Sequence, residues 1–152
     1  MRGIKMMISV LAAMTLTISC GKDKPVVEYL DVTPNNISGE WKLVEWNGSS
    51  LNEGTYVYIE FVRKDKEFVI YQNVDSMGDM PHVVTGSFNI DLSDVEAGPV
   101  IQGMYDYDGG IWAYDYEVNE LTEDSMTWVA VGNDAYVQKW VRTSIPETMK
   151  GE

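Results

Sequence analysis

Between residues 39 and 143 apolar and polar positions alternate in short runs, and no window carries a sustained apolar stripe at helical spacing. β-Branched and aromatic residues recur at about 40–46, 55–63, 67–73, 83–90, 99–106, 111–121, 126–132 and 135–143, with Gly, Asn and Asp clusters between them. That pattern predicts eight strands. Lys64-Asp65-Lys66, Asp108-Gly109-Gly110, Thr122-Glu123-Asp124-Ser125 and Gly132-Asn133-Asp134 carry the turn chemistry that hairpins need. The links over 74–82 and 91–98 are longer. Eight consecutive hairpin-joined strands predict an all-β, antiparallel, up-and-down barrel, because closure removes the exposed edges of a long open sheet. A β-sandwich is the alternative arrangement of the same strands.

Alternation within a strand assigns faces. Read as one strand, 111–121 places Trp112, Tyr114, Tyr116 and Val118 on one side and Ala113, Asp115 and Glu117 on the other. Met126 and Trp128 share a face. Tyr56 and Tyr58 oppose Val57, Ile59 and Phe61, so that strand is apolar on both sides. A small barrel is either filled by such side chains or encloses one small ligand. Tyr56, Tyr58, Trp112, Tyr114, Tyr116 and Trp128 are therefore the candidate lining of a cavity, offering apolar bodies with polar tips. Tyr105 and Tyr107 are placed to stack on a sugar ring at the mouth.

The amino end follows a different rule. Arg2 and Lys5 precede a mostly apolar run, Met6 to Ile18, that is too short to span a bilayer, which takes about 20 residues. This is the form of a signal peptide covering 1–19. The only cysteine closes it in Leu16-Thr17-Ile18-Ser19-Cys20-Gly21, which resembles the lipobox of bacterial lipoproteins. The resemblance implies acylation of Cys20, through palmitate-type chains, as the first mature residue. Gly21 stands where an Asp would retain such a protein in the inner membrane, which favours the outer membrane of a Gram-negative envelope. Residues 20–36 then read as lipidated Cys and flexible tether, 37–145 as the barrel and 146–152 as a C-terminal tail.

Charge narrows the partners. With 24 acidic against 11 basic side chains the formal charge is -13, and loss of Arg2 and Lys5 with the leader deepens it by two to -15. Such a surface repels phosphate backbones and anionic headgroups alike, so nucleic acid is excluded and the acyl anchor is the only expected hold on a membrane. A single Cys excludes an internal disulfide, and a single His leaves no base for a hydroxyl nucleophile such as Ser49 or Ser50. Asp106, Asp108 and Glu117 have a calcium-loop flavour, but Gly110 and Ile111 occupy the positions of a ligand and of the turning glycine. His82 with Asp75 and Asp79 makes a poor metal site. Neither metal, cofactor nor catalytic set is expected.

Three stretches taken together carry a family resemblance. Ile37-Ser38-Gly39-Glu40-Trp41-Lys42-Leu43-Val44 resembles the Gly-x-Trp opening strand of lipocalins and of small lipocalin-like bacterial lipoproteins. A Gly86–Asp91 strand and Tyr116–Met126 follow in matching order, and Trp140-Val141-Arg142 ends the pattern. The resemblance implies that Gly39, Trp41 and Arg142 form the barrel floor, with the guanidinium over the indole. It also implies a membrane-anchored, non-catalytic carrier of a small apolar or amphipathic molecule. The alternative is an envelope module with a packed interior that contacts glycan or protein through exposed aromatics. The oligomeric state is left open.

Overall fold

The computed structural model describes residues 24–74, 82–107 and 110–151. Nine antiparallel strands follow in order: β1 (Gly39–Trp46), β2 (Ser49–Ser50), β3 (Val57–Val62), β4 (Glu67–Gln72), β5 (His82–Asp91), β6 (Val100–Tyr105), β7 (Tyr116–Asn119), β8 (Ser125–Ala130) and β9 (Asn133–Arg142). Each pairs with the next from β3 onward, and β1 closes the ring by pairing with β3 on one side and β9 on the other. The result is a closed eight-stave barrel rather than a sandwich. The strand outside the ring, β2, is a two-residue return: Asn47 and Gly48 adopt φ 51° and 79°, the positive pair of a tight hairpin turn, and set it against the end of β1.

Strand faces follow the pleat. Trp41, Leu43, Ile59, Phe61, Phe68 and Ile101 are almost wholly removed from water at the centre. Gly86 lies under this core for a steric reason. A Cβ there would meet the Met104 carbonyl oxygen at 2.2 Å and the Phe68 ring at 2.5 Å.

Two irregularities alter the simple alternation. Between Leu43 and Glu45 the register of β1 against β9 shifts by one, so Trp46 turns inward while Glu45 stays outside and pairs with Lys139 at 2.8 Å. The second correction concerns 111–121, which is not one strand. Ile111 bridges Met104, and Tyr116 pairs with Ile101, so five steps along this segment face three along β6. The two surplus residues bulge out near Ala113–Asp115, where Gln102 Nε2 donates to the Asp115 carboxylate at 3.0 Å.

The ends of the chain differ from expectation as well. The stretch read as tether is, from Leu30 on, part of the fold. The Leu30 amide donates to the Leu121 carbonyl at 2.8 Å, Leu30 and Val32 pack on the core, and α1 (Pro34–Ile37) is capped by the Thr33 hydroxyl. Leu30 and Val32 are apolar residues among polar ones, and only the barrel base gives them something to bury against. The tail likewise docks. Ile145 and Met149, the latter on α2 (Glu147–Lys150), cover Tyr58 and Tyr71 on the outer wall. The leader, Cys20 and the Asp75, Asp79 and Asp108 carboxylates lie outside the described residues.

One ion pair holds this tail. Glu40 accepts hydrogen bonds from the Ile145 amide and the Lys150 ammonium. Partial burial pushes the Glu40 carboxyl up, yet the Lys150 hydrogen bond, the Ile145 amide and the Lys150 charge together bring it below the ordinary glutamate value of 4.5. A depressed carboxyl contributes stability that is present above that ordinary value and lost as pH falls through the lower, folded one. Acid should therefore release Ile145–Lys150 while the barrel persists. Hydrogen exchange should show early loss of protection at the Ile145 amide on acidification, and Glu40→Gln should show it already at neutral pH. Protection that is independent of both would contradict the latch.

Candidate functional site

The barrel has a closed and an open end. At the closed end the Arg142 guanidinium carbon lies 4.1 Å from the Trp41 ring centroid. The same guanidinium donates to the carbonyls of Ser38 at 2.7 Å, Asn36 at 2.9 Å and Glu123 at 2.7 Å, drawing the amino-terminal segment and the β7–β8 turn over the base. Trp41 is fully buried, and its indole N–H donates to the Ile37 carbonyl at 2.8 Å. Gly39 has φ 109°, and a Cβ there would stand 2.8 Å from the Arg142 Nη1 atom, so glycine serves both the backbone and the arginine. The three floor residues named from the sequence are thus brought together.

Above the floor is a cavity of about 210 Å³. Trp112, Tyr116 and Trp128 line it, joined by Trp46, Tyr136 and Trp140. Trp112 sits at 5.1 Å from Phe68 and 5.7 Å from Trp128, ring centre to ring centre, and Tyr116 at 5.3 Å from Trp128. Gly103 makes room for this. A Cβ at that position would fall 2.0 Å from the Trp112 indole, so the ring lies flat against bare backbone on β6. The Trp112 amide also donates to the Gly103 carbonyl at 2.9 Å.

Three expected lining residues are elsewhere. Tyr58 stands on the outer face of β3, buried under the C-terminal tail with Tyr71, Tyr56 just before the strand packs on the same outer cluster, and the inward positions are Val57 and Ile59. Both faces of β3 are apolar because both are covered, and alternation alone could not say which cover was the barrel interior. Tyr114 is displaced by the bulge. It is half-buried and packs on Tyr136 at 5.0 Å, a support for the lining rather than part of it. Tyr105 does reach the cavity and stacks with exposed Tyr107 at 5.4 Å and 29°.

Tyr136, Gln138 and Trp140 are lining residues beyond those expected from alternation. Their spacing by two on β9, ending at Arg142, was the available signal, since the arginine's inward face marks theirs. Gln138 is 7 % exposed, a rare setting for an amide. Tyr136 shares the lining with Gln138, Trp46 and Tyr116, and burial, partly offset by these polar neighbours, pushes its phenol up. Burial pushes the Tyr116 phenol far above its ordinary value, so it is a neutral hydrogen-bonding group at any physiological pH. The indole N–H groups of Trp112 and Trp140 are buried and find no acceptor among the described residues. Each such donor costs about 1–3 kcal/mol.

No charged side chain lines this space among the described residues. The cations that an anionic ligand would need are engaged elsewhere: Lys42 lies 5.8 Å over the outer Tyr58 ring, Lys139 pairs with Glu45, and Arg142 is at the floor. The Asp106 carboxylate accepts from the Thr85 hydroxyl at 2.6 Å, and Glu117 is placed opposite Val100, so these two acids do not share a loop site. No cluster of three or more metal-ligating side chains forms among the described residues. The site can enclose, stack on and hydrogen-bond a small molecule.

Comparison with curated proteins finds no match. Residues 37–128, well over half of the chain, match the family described as lipocalin-like domain. Together with the closed antiparallel barrel and its covered floor, that match places this chain in the lipocalin-like domain family.

Proposed function

We propose that this protein is a lipid-anchored, non-catalytic envelope protein that carries a small apolar or amphipathic molecule in its barrel. The observation that carries the reading is the aromatic cavity above a sealed floor, its lining including the polar side chains of Tyr116, Tyr136 and Gln138. A barrel packed for stability alone has no use for a buried amide and two buried indole N–H groups without acceptors. The anchor is Cys20, and the outer membrane is the site that its Gly21 neighbour favours.

Orientation follows from where the chain leaves the barrel. Leu30 is fixed against Leu121 at the floor end, and it lies ten positions after Cys20, a reach of at most roughly 35 Å. The floor therefore stands toward the lipid and the mouth toward water. Cargo enters from the aqueous side.

Tryptophan fluorescence tests the carrier reading, because four cavity-lining indoles, Trp46, Trp112, Trp128 and Trp140, report any occupant. Neutral, anionic and cationic amphiphiles should be titrated against the protein and against Trp112→Phe. The expected result is saturable quenching by at least one class, weakened in the variant. A flat response to every class would move the function to the outer surface, to glycan or protein contact.

A further inference from the structure

Taking the cavity as a ligand site, we propose that its ligand is a compact, uncharged, ring-containing molecule with a hydrogen-bonding edge, and not an acyl chain or an ion. Size is the first argument. An apolar cavity of about 150 Å³ is known to hold benzene, and drug-sized ligands take about 300–1,000 Å³. At about 210 Å³ this space admits one substituted ring or a small fused pair. A long acyl chain has room inside for only its first carbons.

Wall chemistry is the second argument. Trp112, Tyr116, Trp128 and Trp140 supply ring surfaces against which a flat molecule stacks in offset or edge contact. A carboxylate would enter with no cation to meet it, and an ammonium with no carboxylate. The domain's excess acidity also repels anions before they reach the mouth.

The third argument is polarity along one side. Gln138 offers both amide donor and acceptor from β9, in the same cavity lining as Tyr136 and Tyr116. A ligand with a carbonyl or hydroxyl on one edge satisfies this wall, and a plain hydrocarbon leaves it unanswered. Specificity then comes from the polar edge, and most of the binding energy from the rings.

The matched pair indane and 1-indanone isolates that edge, since the two share a skeleton and differ by one carbonyl. Laurate and tetramethylammonium complete the set. The full chain is titrated with each, following the side-chain N–H signals of its tryptophans by NMR. 1-Indanone should bind about tenfold tighter than indane, the worth of one good hydrogen bond. Laurate and tetramethylammonium should bind more weakly than both. Gln138→Met, similar in length and without the amide, should bring the indanone-to-indane ratio close to one while indane binding persists, which shows that the variant is folded. Equal binding of the pair in the parent, an unchanged ratio in Gln138→Met, or laurate or tetramethylammonium binding as tightly as 1-indanone would overturn this ligand class and leave the carrier reading standing. No binding by any of the four would overturn this ligand class too, while the amphiphile titration tests the carrier reading separately.

Discussion

Trp41→Ala should lower the unfolding free energy by about 3–5 kcal/mol, the usual cost of deleting a large buried aromatic. The side chain is fully buried, holds the Ile37 carbonyl through its indole N–H and lies under the Arg142 guanidinium. A loss of that size is a large part of an ordinary domain's stability of about 5–15 kcal/mol. Arg142→Ala should cost about 2–3 kcal/mol, because it removes the stacked cation and leaves three backbone carbonyls to find water. The contact itself is read from the double variant. Urea unfolding followed by circular dichroism should give a coupling of about 0.5–2 kcal/mol between the two positions. Strict additivity would refute the pair as a structural unit.

If Cys20 bears the proposed anchor, Cys20→Ala should abolish membrane attachment. Several acyl chains on one residue give firm anchoring where a single chain is marginal, so on the proposed reading the anchor rests on this one side chain. The acidic domain contributes repulsion from anionic headgroups rather than attraction. Fractionation should move essentially all of the variant from the membrane to the soluble envelope, or leave it as an uncleaved precursor of slower migration. A variant that fractionates and migrates like the parent would show that Cys20 bears no lipid.

How far such a fold can be read in advance depends on which interactions are local. Strand alternation and turn residues are local, and they carried the strand order and the closed barrel. The Trp41–Arg142 floor was legible only through family resemblance, since nothing in the spacing of residues a hundred positions apart puts them together. Bulges are where reading by period fails. The shift beside Val44 turned Trp46 inward, and the surplus pair after Trp112 cost Tyr114 its place in the lining while sparing Tyr116. Neither bulge has a distinctive residue signature. Asn47-Gly48, by contrast, is a strong hairpin signal, and β2 could have been found from it. Tyr56 and Tyr58 were misplaced because the C-terminal tail, whose few apolar residues look unremarkable alone, gives β3 a second apolar partner.

The claim that the barrel carries a small molecule is tested most directly by native mass spectrometry of the mature protein purified gently from its own envelope. The account predicts one bound, uncharged small molecule per chain, lost on denaturation and absent or weakened in Gln138→Met. A parent protein that is always found at its bare mass, and that takes up no compound from an extract of the same cells, would contradict it.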